Sequence, residues 1–143
     1  MTRGEYQRYR QTLWREPEQL VLARLIYGEA RGEDIETQTA VAQVVKNRAA
    51  HPKWWGNSVK EVCLKRYQFS CFNFSDPNME QLMNASLDDK IFLQCIGVAF
   101  AVMNGLYEDK TNGATHYHNK SIAPYWNKKM TQIYETEKLI FYR

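Results

Sequence analysis

The chain reads as an α+β domain, mostly helical, with a small antiparallel sheet toward its C-terminus. Two observations predict this. Apolar residues recur at helical spacing through most of the chain up to about residue 106, and short runs of strand character are confined to the last third. No internal repeat and no low-complexity segment interrupts the pattern, so helices followed by a small sheet form one architecture.

The elements follow in order. Residues 1–18 form a charged N-terminal helical arm in which Tyr6, Tyr9, Leu13 and Trp14 approximate an apolar stripe that packs on the body, and residues 19–143 form a single domain. A helix covers about 17–30, with Gly32 placed to end it in a left-handed cap. Asp34 opens the next, whose Ala40, Val41, Val44 and Val45 make one apolar face, and these two helices pack as a hairpin. Pro52 with Trp54, Trp55 and Gly56 is a loop. Ser58 and Glu61 have the Ser-x-x-Glu spacing of a capping box, opening a short helix that runs to near Tyr67. Residues 68–73 look extended and aromatic, and Asp76-Pro77-Asn78 is turn chemistry leading into a short helix over 79–84.

The strongest helical pattern begins at residues 86–89. Phe92, Cys95, Ile96, Ala99, Val102, Met103 and Leu106 track one face, with Gly105 near the close. After the turn Thr111-Asn112-Gly113, residues 114–119 alternate as a short strand with His116 and His118 on one face. Residues 121–129 are a polar, aromatic loop, and 132–134 with 139–142 form a terminal hairpin.

Composition bounds what such a domain does. At 143 residues, 44% hydrophobic and 13% aromatic, the chain supports one core and has no room for a second domain. A net charge of +3 suits an anionic partner such as a wall polymer, but without a Lys/Arg block it is no nucleic-acid footprint. The odd set Cys63, Cys71 and Cys95 lacks CxxC spacing, which argues against both a disulfide framework and a zinc cluster. Residues 1–18 resemble neither a secretory signal nor an anchor, and 91–103 is too short to span a bilayer. The expectation is a monomer made in the cytoplasm, with no membrane insertion.

One acid stands out. Glu29 follows the apolar run 20–27 and precedes a glycine turn, where a buried helix face meets a loop. A carboxyl partly removed from water holds its proton more tightly, which makes a proton donor near neutral pH. On the local pattern alone, a surface acid paired with Arg24 or Arg31 is the more ordinary reading.

Three ordered segments alter that balance. The stretch 23–48, containing Gly28-Glu29-Ala30-Arg31-Gly32-Glu33 and then Gln43, Val44, Asn47 and Arg48, resembles the opening of the SleB/CwlJ family of cell-wall hydrolases. Tyr67-Gln68-Phe69-Ser70-Cys71-Phe72-Asn73 with Asp76-Pro77-Asn78 is similar to that family's central block. Gly113-Ala114-Thr115-His116-Tyr117-His118-Asn119 with Pro124-Tyr125-Trp126 is similar to its third, and 140–143 to its closing strand.

The resemblance implies a lysozyme-like fold and a peptidoglycan glycosidase that cuts between N-acetylmuramic acid and N-acetylglucosamine. The implied route is lytic transglycosylation, with Glu29 as catalytic glutamate and a 1,6-anhydro product; a lysozyme-type muramidase with the same site is the alternative. Glu33 and Asp34 follow too closely to serve as a second catalytic acid and read as a solvated charge or a helix cap. Substrate contacts are expected from Gln68, Phe69, Ser70, Asn73, His116, Tyr117, Asn119, Tyr125 and Trp126; Trp54 and Trp55 match none of the blocks. No metal or cofactor is expected.

His116 and His118 permit a zinc reading, but no third ligand has recognisable spacing and the only other histidine is His51. Two further classes stay open: a wall-binding or virion structural protein, and a zinc-dependent amidase or peptidase. Peptidoglycan glycan strands are the expected partner, no nucleic acid is, and a phage endolysin released by a holin or carried in a virion is the expected setting.

Overall fold

The computed structural model describes residues 1–51 and 54–143; Pro52, expected in a loop, lies outside them. Helices α1 (Arg3–Arg15), α2 (Glu18–Ala30), α3 (Ile35–Ala49), α4 (Val59–Leu64), α5 (Pro77–Asn84) and α6 (Lys90–Met103) precede strands β1 (His116–Asn119), β2 (Gln132–Glu135) and β3 (Leu139–Tyr142). The α+β reading holds. β3 is the central strand, antiparallel to both neighbours, pairing Tyr117 with Phe141 on one side and Tyr134 with Phe141 on the other.

α2 is the axis of the domain because almost every side chain on it is apolar. Val21, Leu22, Ala23, Leu25 and Ile26 are all fully buried, and α2 packs on α3, α4, α5 and, most extensively, α6. Its one buried cation is matched: Arg24 pairs with both Glu16 carboxylate oxygens at 2.8 and 2.9 Å and donates to the Leu82 carbonyl at 2.6 Å. α1 lies against this body through fully buried Leu13 and half-buried Tyr6 and Tyr9, whereas Trp14 is exposed.

Helix starts follow local chemistry closely. Asp34, Ser58, Asp76 and Asp89 each accept a backbone N–H of the first turn. Glu61 reaches back to the N–H of Asn57 at 3.1 Å, one residue earlier than the capping-box pattern requires.

Helix ends depart from expectation. Gly32 is not left-handed; α2 closes with Arg31 in ordinary helical geometry, and Gln38, buried on α3, donates to the Ala30 carbonyl that a left-handed cap would have satisfied. α4 stops at Leu64 because Lys65 turns to extended backbone, and Leu106 falls beyond α6 and is exposed.

The largest difference concerns 67–73. It is not extended: Tyr67 takes a left-handed turn (φ 64°) and Ser70–Phe72 forms a 3-10 helix. The reason lies in which residues must be buried. Phe69, Cys71 and Phe72 all face the core, a spacing that a flat strand with alternating faces cannot satisfy.

Gly28 fixes how this segment meets α2. A Cβ there would sit 2.8 Å from the Cys71 Cβ and 2.8 Å from a Leu82 methyl, so only glycine lets the chain around Cys71 lie against the helix. Gly28→Ala is expected to destabilise the fold despite alanine's helix propensity, because overpacking costs about 1–3 kcal/mol and the propensity gain is about 1 kcal/mol. A lowered midpoint in urea unfolding is the expected result.

Candidate active site

Glu29 is the penultimate residue of α2 and is half-buried. Neither candidate arginine pairs with it: Arg24 is held by Glu16, and Arg31 donates to Gln81 at 2.8 Å and to the Tyr27 carbonyl at 3.1 Å. The surface ion pair is therefore absent. Burial pushes the Glu29 carboxyl up to about 6; the Asp76 charge adds to the rise, and the Cys71 thiol and backbone N–H oppose it by hydrogen bonding to the carboxylate.

Two further groups face this acid. Tyr117, half-buried on β1, has its phenol pushed well above the ordinary range by burial and by the Glu29 charge, so it stays a neutral hydroxyl. Asp76 bears on Glu29 only through its charge, since its carboxylate accepts the Asn78 N–H at 2.8 Å to cap α5.

Arg48, on α3, ties the site together. Its Nε donates to the Thr115 carbonyl at 2.7 Å, and its guanidinium lies over Phe69 at 5.1 Å and Trp55 at 5.5 Å. Nη1 is buried without a hydrogen-bond partner. One turn earlier Asn47 donates to the Ala114 carbonyl at 2.9 Å and to Asp109, and Gln43 donates to Asn47. These α3 side chains fix where β1, and hence Tyr117, stands relative to Glu29.

The remaining predicted residues separate into groups. His116 stands between Trp55 and Trp126 with ring centres 5.9 and 5.2 Å away, and burial, then Arg48, pull its pKa down. His118 uses both ring nitrogens, at 2.7 Å from the Tyr142 hydroxyl and 2.7 Å from the Asn119 carbonyl. Trp126 is half-buried against both histidines and Tyr142, while Tyr125 beside it is exposed. Gln68 and Ser70 are exposed but do not share the face of an extended strand, Phe69 is buried under Arg48, and Asn73 turns to the opposite side of its segment. Asn119 is an exposed turn residue whose side chain accepts the Ser121 N–H. Of the two acids after Glu29, Asp34 caps α3 and Glu33 faces Lys138 at 3.8 Å.

The sequence reading missed Cys71, Asp76, Arg48 and Trp55 as parts of the site. The first three lie within quoted motifs, so their signal was present. Trp55 had none, because its place beside His116 depends on tertiary packing. A groove of about 280 Å³ along α3, lined among others by Glu36, Tyr107 and Tyr134, contains none of the predicted site residues.

A family model described as cell wall hydrolase matches residues 32–142, beginning just past Glu29. The chain belongs to the cell wall hydrolase family. No curated protein sequence matches it. Among solved structures, this cell wall hydrolase is similar to the catalytic domain of the germination-specific lytic transglycosylase SleB from Bacillus anthracis. The TM-score is 0.70 at 25% identity, over 88% of this chain and 93% of that one. The catalytic domain of the Bacillus cereus SleB protein matches with the same score and identity, over 88% and 89%. Both matches include the helical body and bear out the lysozyme-like fold expected from the motifs.

A raised carboxyl has a thermodynamic sign. Between about pH 4.5 and 6 the folded chain holds the Glu29 proton that the unfolded chain has lost, so this group's contribution to stability falls as pH rises through that window, by about 2 kcal/mol. Glu29→Gln is expected to raise the Tm relative to the parent at pH 7.5, with the difference vanishing below pH 4.5; calorimetry across that range checks it.

Proposed function

We propose that the protein is a lytic transglycosylase acting on peptidoglycan glycan strands, with Glu29 as its catalytic acid and base. The observation that carries this is a half-buried glutamate at a helix end, held near pKa 6, whose nearest acidic neighbour is committed to capping α5. Similarity to the SleB catalytic domains supports it.

Protonated Glu29 donates to the glycosidic oxygen between N-acetylmuramic acid and N-acetylglucosamine. The C1–O bond breaks and an oxocarbenium-like centre forms. The carboxylate left behind is stabilised by the Cys71 thiol and N–H, and its raised pKa favours recovery of a proton from the muramic acid C6 hydroxyl as that oxygen closes on C1. No water enters and no second carboxylate is required, in contrast to hydrolysis, where an acid and a base or nucleophile divide the work.

Tyr117 donates its neutral hydroxyl toward the reacting centre in this scheme, and exposed Gln68, Ser70 and Tyr125 contact sugar beside it. We read Trp126 and His116 as the firm wall behind those contacts, since their ring faces are largely used on one another. The protein acts as a monomer and without a metal in this reading, with holin release or virion carriage as its setting.

Digestion of purified peptidoglycan is expected to release muropeptides ending in 1,6-anhydromuramic acid, read by mass spectrometry; reducing ends alone would assign muramidase chemistry instead. Glu29→Gln is expected to abolish release, and near-parental activity would remove Glu29 from its role. For the parent, kcat/KM is expected to fall about tenfold per pH unit above roughly pH 6, because the free protein must carry the Glu29 proton.

A further inference from the structure

The segment that presents Cys71 to Glu29 has a second side. There, between α1 and residues 65–75, lies a pocket of about 290 Å³ whose charged lining is Arg3, Arg10, Lys65 and Arg66, with no acidic side chain among its walls. The ion pairs among the described residues, Arg24–Glu16, Lys120–Glu135 and Lys138–Glu33, all lie elsewhere. Arg10 donates to the Leu64 carbonyl at 2.7 Å, Arg3 lies over the Phe74 ring at 4.8 Å, and Arg66 is exposed. Arg10 and Arg66 are close enough to repel: burial first, and then the Arg66 charge, lower the Arg10 pKa. Cations gathered without a counter-charge are the arrangement that a bound oxyanion stabilises.

Two details make this a built site rather than a solvated basic face. Tyr67 holds a left-handed backbone that a non-glycine side chain rarely adopts, and is 82% exposed at the rim. The floor is aromatic and fixed, since the Tyr6 hydroxyl donates to the Phe72 carbonyl at 2.9 Å and the Tyr6 ring meets Phe74 edge-on.

We propose that this pocket binds the peptide stem of peptidoglycan through its carboxylates. The proposal rests on the glycosidase reading above, because that reading puts a muramic acid at Glu29, and the stem is attached to that sugar. Position favours the stem. Phe69 both lines the pocket and underlies Arg48, and Cys71 faces Glu29, so one short segment separates the scissile bond from the cations. Chemistry favours it over a phosphate polymer, since a short peptide carries aliphatic side chains for the aromatic floor as well as several carboxylates for the spaced cations.

The test uses the full chain carrying Glu29→Gln and three probes followed by calorimetry and NMR: a glycan-free stem tetrapeptide, the same peptide with amidated carboxylates, and inorganic phosphate. The tetrapeptide is expected to bind, with shifts at Arg10, Arg66 and Tyr67. Amidation, or Arg3→Gln with Arg66→Gln, is expected to weaken binding roughly tenfold, the scale of a charge-assisted hydrogen bond. Both arginines are exposed and make no ion pair, so an unchanged melting curve is expected to accompany that loss. No peptide binding, affinity indifferent to these changes, or tighter binding of phosphate would overturn the assignment. Release of anhydro products by the parent protein, with no stem binding, sinks the pocket alone; stem binding without glycan cleavage sinks the glycosidase reading and leaves the pocket.

Discussion

The structure depends on one close approach, that of the Cys71 segment to α2 at Gly28. It brings a thiol and a backbone N–H to a carboxyl that the surrounding core has already drawn partly out of water. Burial alone would push Glu29 toward permanent protonation, and hydrogen bonds alone would hold it ionised; their opposition leaves it between the two. A missing Cβ thus sets an acid's working range, since any larger side chain at Gly28 would move the donors before it touched the acid.

The sheet is held to this arrangement from α3. Gln43, Asn47 and Arg48 use their side chains on the backbone carbonyls that lead into β1, a connection that works whatever side chains the strand carries. Arg48 is the costly member, because it is buried with part of its hydrogen-bonding capacity unused. Aromatic faces of Phe69 and Trp55 supply some of what oxygen acceptors would have given. On the α6 side, Gln38 joins the end of α2 to Gln94, so the carboxyl's helix is clamped at its final turn.

Helix starts were legible in the sequence to within a residue or two because capping is local: Asp34, Ser58 and Asp89 each act within their own first turn. Strand pairing at 139–142 was legible from alternation. The central 67–73 run was not, because its apolar residues suggest a strand until it is known that three of them must face the same core. The ordinary reading of Glu29 as a surface acid failed for a similar reason, since which partners Arg24 and Arg31 take is decided by Glu16 and Gln81, far from the motif. Motif order carried the site where local pattern did not, and Trp55 lay beyond both.

The three cysteines carry a consequence of their own. All are buried and free, and burial raises each thiol well beyond its ordinary range, Cys95 to about 12. The thiolate is the species that oxidants and disulfides capture, and here it is almost never formed in the folded chain. A hydrolase of the wall works where nothing keeps thiols reduced. Packing therefore does for this protein what disulfide bonding or the loss of cysteine does for others: it makes the fold itself the reductant-free protection of the sulfur that attends the acid.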